Sequence, residues 1–261
     1  MSHHHPWPFA RVLAHRGGGA LAPENTLAGI EVGLAHGYRA IEFDAMLAAD
    51  AVPVLIHDDT LDRTTDGTGA VASYTATELT RLDAGAWMGP RFAGTRLPLL
   101  TEAIAYCRRN GIWINIEIKP APGHELATGT EVATVAARAY ADLVRRGGDA
   151  AANVEPQVPL LSSFAPEALA AARKSASDLP RGLLVGAVPG DWEDQVGTLG
   201  CISLHCSHTH LTQALARAVK DAGYWLFCYT VNDPQRARAL FDWGVDAFCT
   251  DRIDLIEAGF V

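Results

Sequence analysis

Apolar and polar positions along the chain follow two alternating spacings. Apolar runs of strand length recur near residues 11, 40, 112, 159, 183, 201, 225 and 245, separated by longer stretches whose apolar residues fall three or four apart. The first strand is read over 11–15. Pro23 and Asn25 then open a helix on Leu27, Ile30 and Leu34, with Gly37 in the left-handed position past its end. The second strand, 40–44, is followed by a returning strand at 53–57. That connection is far shorter than a parallel crossover needs, so a hairpin is predicted. Folding back near Ala49 sets His57 about opposite Glu42. Later strands are read at 112–118, 159–163, 182–186, 201–205, 225–231 and 245–250. Helices run from Thr101 to a stop at Gly111, over 128–146 ahead of Gly147 and Gly148, after Pro166, and over 191–198, 211–222 and 234–243. Asp233 as N-cap, Pro234 in the first turn and Gly244 past the end frame the last of these.

Eight such strands, each followed by a helix or by the chain end, predict an α/β fold, a (β/α)8 TIM barrel. Residues 59–97 break the rhythm: they are rich in Thr, Gly and Asp and longer than an ordinary connection. With a capping box predicted from Thr75 to Glu78, they read as a small insertion after the second strand. The expected organisation is one domain over 1–261 with an inserted subdomain at about 46–98. Trp87 and Phe92 pack that insertion on the simpler reading and wall the substrate mouth on the sharper one.

Alternation places Glu42 and Asp44 on one face of the second strand, between apolar Ile41 and Phe43. Two carboxylates in such surroundings repel each other and resist ionising, so a cation is expected between them. Active sites of these barrels gather at the C-terminal ends of the strands, where Glu117 from the neighbouring strand can join the pair. Oxygen-only ligands favour one divalent cation, Mg2+ or Ca2+, over Zn2+. His15 and His57 flank that cluster as acid and base for a phosphodiester. Arg16 and Lys119 offset phosphoryl charge. His205 and Asn232, at the ends of the sixth and seventh strands, are further substrate-binding candidates. Each has a plainer reading. A lone strand-end histidine is more often packed than catalytic, Glu117 and Lys119 also fit a simple ion pair, and His208 and His210 read as loop residues. Asp251 with Arg252 reads as a structural closing pair, and Asp62–Arg63 either touches substrate or braces the insertion.

Composition narrows the classes. Hydrophobic residues at 49% suffice for a large core in 261 residues. A net charge of −9 argues against non-specific nucleic-acid or anionic-membrane binding, though a bound cation still admits an anionic small molecule. Five cysteines, an odd count without a CxxC pair, fit a reducing compartment. Cys201, Cys228 and Cys249 read as buried packing residues. No signal-peptide run or membrane-span run is present, so a cytoplasmic location without membrane insertion is expected. His3–His5 reads as a terminal tail rather than a metal site. The sequence leaves a homo-oligomer open.

The motifs HRGGGALAPENT (15–26), IEFDA (41–45), HDDTLDRTTDGTG (57–69), NIEIKP (115–120), LLSSF (160–164), YTVN (229–232) and GVDAFCTD (244–251) together resemble the glycerophosphodiester phosphodiesterases. The bacterial cytoplasmic type is the nearest in character, also through DAGAW (83–87), LPRGLLV (179–185) and SLHCSH (203–208). The resemblance implies a TIM barrel with an insertion after its second strand. It also implies hydrolysis of glycerophosphocholine, glycerophosphoethanolamine and the like to sn-glycerol 3-phosphate and an alcohol. Carried over by motif, His15 and His57 are the acid–base pair, Glu42, Asp44 and Glu117 the metal ligands, and Arg16 and Lys119 the phosphate binders. Attack by the substrate's own glycerol hydroxyl and attack by water both remain open. One departure is Ala51, where the family often has glycine in the hairpin turn. Two other readings compete: a lysophospholipase D- or C-like enzyme acting on acylated substrates, and a barrel that binds glycerophosphodiesters without turnover.

Overall fold

The computed structural model describes residues 6–144 and 157–261. Eight parallel strands close into a barrel: β1 (Val12–Ala14), β2 (Ala40–Leu47), β4 (Trp113–Ile118), β5 (Leu160–Ser163), β6 (Arg181–Val185), β7 (Ser203–Ser207), β8 (Trp225–Tyr229) and β9 (Ala247–Thr250). Neighbours pair in that order and β1 completes the ring by pairing with both β9 and β2. The remaining strand, β3 (Pro53–Leu55), runs antiparallel to β2. β2 is three residues longer than predicted because Ala45, Met46 and Leu47 pair with Leu55, Val54 and Pro53. The ladder ends there, so the predicted position of His57 opposite Glu42 is not a strand pairing.

Alternation along each strand divides the core. Ile41, Phe43, Ile114 and Ile116 face outward, in the layer shared with the helices. Leu13, Trp113, Leu160 and Trp225 belong to a second cluster with Phe9. Phe9 stacks on Trp113 at 4.2 Å, and Trp7 meets Trp225 edge-on at 5.4 Å. These aromatics pack at the N-terminal ends of β4 and β8 and fill that end of the barrel. The opposite end is left for chemistry. Met46, Val54, Leu61, Val71 and Leu79 form a third cluster beneath the segment between β2 and α3 (Leu100–Arg109).

Local chemistry sets most helix ends. Asp233 accepts from the amide of Gln235 and Pro234 starts α8 (Pro234–Asp242), with Gly244 at φ 93° beyond it. The capping box from Thr75 to Glu78 is formed at α2 (Ala76–Leu79). Two expectations are corrected. The helix read as opening at Pro23 and Asn25 begins later, as α1 (Leu27–Ala35), where Thr26 caps it by accepting from Gly29. The helix predicted over 128–146 is α4 (Glu125–Ala139), which starts earlier because His124 already accepts from Thr128 and ends where Tyr140 is buried. Its predicted stop at Gly147 and Gly148 lies outside the described residues, as does His3–His5. Ala51 holds φ 58° at the hairpin tip, a left-handed conformation that favours glycine. All five cysteines are free and buried. Among the described residues no helix is long and apolar enough to cross a membrane.

Candidate active site

Register brings the acids together. Asp44 on β2 is the direct neighbour of Glu117 on β4, and Glu42 lies two residues back on the same face. Oxygens of all three fall within 4.8 Å of one another. Burial, then the charge of Asp44, pushes Glu42 up to about 7 and Glu117 up to about 8. The cluster therefore strains against its own charge. An oxygen-only, largely buried trio of this kind fits a hard divalent cation, which would relieve that repulsion.

The neighbouring loops hold the acids in place. Asn25, at φ 57°, donates from Nδ2 to Asp44 at 2.8 Å, and its Oδ1 accepts from the Asp44 amide at 3.0 Å. Arg16, at φ 50°, turns its own N–H onto Glu42 at 3.2 Å. Its guanidinium lies 3.4 Å from Asp44 and donates to Glu24 at 2.7 Å. The glycines after it are needed for close approach: a Cβ on Gly19 would meet the carbonyl oxygen of Asp251 at 2.3 Å.

Two imidazoles border this cluster. His15, just past β1, has Nδ1 2.6 Å from Asp251 and Nε2 3.7 Å from Glu42. Burial opposes its charged form, but Asp251 and Glu42 outweigh burial and raise His15 above the usual histidine range. His57 has Nδ1 2.6 Å from Asp58, and its Nε2 accepts from the Lys119 ammonium at 2.8 Å. Burial lowers His57; Asp44 opposes this, and Arg16 and Lys119 add to it. Lys119 also donates to Glu117 at 3.3 Å. His15, Arg16, Glu42, His57, Glu117 and Lys119 line one cavity of about 200 Å³.

The model of the glycerophosphoryl diester phosphodiesterase family matches residues 15–255. The chain belongs to that family. A glycerophosphodiester phosphodiesterase of Caldanaerobacter subterraneus subsp. tengcongensis is 34% identical over 95% of this chain and 98% of its own. A putative glycerophosphodiester phosphodiesterase of Bacillus subtilis is 31% identical over 94% and 96%. Among solved structures, a phosphodiesterase of Oleispira antarctica in complex with the product sn-glycerol-3-phosphate superposes with a TM-score of 0.82, at 34% identity and 92% coverage of both chains.

The remaining predicted residues of this phosphodiesterase fall less uniformly. His205 lines the cavity but is only 1% exposed; its Nε2 meets Ser203 at 2.9 Å, its ring stacks on Phe227 at 4.6 Å, and burial brings it down to about 3. Gly182 leaves the room, since a Cβ there would lie 2.4 Å from Nε2. Asn232 is not brought to the cavity wall. It donates to Asp251 at 3.0 Å, and its Oδ1 accepts from the Asp251 amide and the Thr250 hydroxyl. Asp251 does not pair with Arg252, which binds Asp254 instead. Arg63 braces the segment after β3, binding both Asp58 and Glu24. Trp87 and Phe92 do not line the cavity; Phe164 and Tyr229 do.

Read from sequence alone, Asn25 opens a helix and Asp251 pairs with Arg252, so their contacts with Asp44 and His15, and that of Asp58 with His57, come from the structure. Asp58 was signalled by its place directly after His57. Asp251 was signalled only as an acid at the end of the last strand.

Proposed function

We propose that the chain hydrolyses glycerophosphodiesters to sn-glycerol 3-phosphate and an alcohol, with His15 and His57 as the general acid–base pair. One observation carries this reading. Two imidazoles border a single trio of buried carboxylates, and each keeps Nδ1 on a carboxylate partner. That arrangement leaves Nε2 of each for proton transfer and fixes the tautomer when the ring is neutral. His57 in this state accepts at Nε2, while His15 is held towards its protonated form.

Glu42, Asp44 and Glu117 hold one divalent cation, Mg2+ or Ca2+, which supplies positive charge against the phosphoryl oxygens. Arg16 and Lys119 bind those oxygens and orient the phosphorus between the two rings. Lys119 exchanges its contact with His57 for the phosphate, freeing Nε2 of His57 for the proton. His205 and Asn232 act less directly: His205 as an uncharged part of the cavity wall, Asn232 as the brace of Asp251. The chain works as one domain, with the segment at about 46–98 folded over the barrel and supplying His57, Asp58 and Arg63. Free, buried cysteines support a cytoplasmic setting.

Product identity tests the proposal. Glycerophosphocholine with Mg2+ or Ca2+ is expected to yield sn-glycerol 3-phosphate and choline. Phosphocholine and glycerol as products, or turnover of acylated substrates alone, would overturn it.

A further inference from the structure

Every glycerophosphodiester shares the glycerol phosphate half and differs only in its second alcohol. The charged part of the cavity serves the shared half, which leaves the alcohol to the rest of the wall. Its apolar share is made by Phe164, Leu184, Phe227 and Tyr229, beside the polar Asn115, His205 and Thr230. Phe164 directly follows β5 and is 47% exposed, so it stands at the mouth. Tyr229 ends β8, and its ring meets Phe164 edge-to-face at 5.7 Å and 83°. Its hydroxyl donates to the carbonyl of Val185 at 2.8 Å. With that polar end spent on β6, the two rings offer carbon faces to an entering group.

The acids around the site are already engaged. Asp251 and Asp58 hold the histidines, Glu24 binds Arg16 and Arg63, and the trio of Glu42, Asp44 and Glu117 faces the cation position. A primary ammonium entering this wall gives up hydrogen bonds to water; among the described residues no uncommitted carboxylate lines the cavity, and its unpartnered Asn115 Oδ1 and His205 Nδ1 are buried, away from the exposed ring of Phe164 at the mouth. A quaternary ammonium has no N–H to satisfy and gains from the aromatic π faces.

We propose that Phe164 and Tyr229 are specificity-determining residues that select a quaternary ammonium alcohol of the choline type as the leaving group. The proposal rests on the phosphodiesterase reading above. Its test compares kcat/KM for glycerophosphocholine, glycerophosphoethanolamine and the uncharged carbon isostere built on 3,3-dimethylbutanol. The native protein is expected to prefer the choline diester to the isostere by about 2–30-fold, the range from an exposed to a desolvated cation–π contact. Phe164→Ala, at an exposed position, is expected to bring that ratio towards one, while Tyr229→Phe keeps the ring and keeps the ranking. Equal rates on choline diester and isostere, an unchanged ratio in Phe164→Ala, or better turnover of lysophosphatidylcholine would each overturn the proposal. Calorimetric binding of the same diesters to His57→Ala in Mg2+ gives the ranking without turnover. If the native protein cleaves none of the diesters, the phosphodiesterase reading falls. The calorimetric ranking still decides the proposal: choline first upholds it, an even ranking sinks it.

Discussion

On one side of the carboxylate trio, His15 leans on Asp251 from just past the last barrel strand; on the other, His57 leans on Asp58, its own neighbour in the chain. Asp251 is braced by Asn232 and by the β1–β9 pairing that closes the barrel. Asp58 is held by Arg63, which draws it well below the usual carboxylate range and ties it to Glu24. The surroundings also differ in sign. Around His15 the acids Asp251 and Glu42 prevail over burial; around His57 burial prevails, with Arg16 and Lys119 on its side. The same imidazole–carboxylate unit is therefore biased towards the charged form at His15, just past β1, and the neutral form at His57, just past β3. Nearby charges, more than the residue type, set a histidine's task.

Removing either ring should cost most. His15→Ala and His57→Ala are each expected to lower kcat by about 10²–10⁴-fold with the melting temperature nearly unchanged; a near-normal rate in one would break the pairing. Next come the three carboxylates that both histidines border. Glu117→Gln is expected to raise the half-saturating metal concentration by about tenfold or more, with activity partly recovered at high metal. An unmoved half-saturation would remove Glu117 from the ligand set.

Opposite pH shifts sharpen the contrast. Asp251→Asn deletes a negative partner of the His15 imidazolium, so the pKa falls and the kcat/KM limb set by His15 moves to lower pH. Lys119→Met deletes a positive neighbour of His57, so the limb set by His57 moves to higher pH. Shifts in the same direction would contradict the two environments described. On the His57 side alone, Arg63→Met is expected to cut kcat by about three- to tenfold by loosening Asp58 and His57. Its effect on stability should be small, because the side chain is 45% exposed. The smallest effect is expected from Ala51→Gly, which relieves the left-handed φ at the hairpin tip. The gain in stability is about 0.5–1 kcal/mol by thermal unfolding, with activity unchanged.

The barrel was readable because strand and helix spacings are written locally, and Glu42 and Asp44 because a strand exposes every second residue to one face. Glu117 followed once the strands could be counted around a ring. The supports of the histidines were harder. Asp251 is 236 residues from His15, and their contact exists only because the last strand pairs with the first. Alternation predicts the hairpin but not that its ladder ends at Ala45 and Leu55, which takes His57 out of any strand pairing with Glu42. Asn25 and Thr26 are both good capping residues. Which one caps is decided by Asp44, a partner in space that occupies the Asn25 side chain.

The most direct test of the shared cation with two flanking imidazoles is a crystal structure with Mn2+ and sn-glycerol 3-phosphate. One anomalous peak is expected in ligand range of Glu42, Asp44 and Glu117, with phosphate oxygens within hydrogen-bond reach of Nε2 on both His15 and His57. A metal bound elsewhere, or a phosphate reached by one ring alone, would contradict the account.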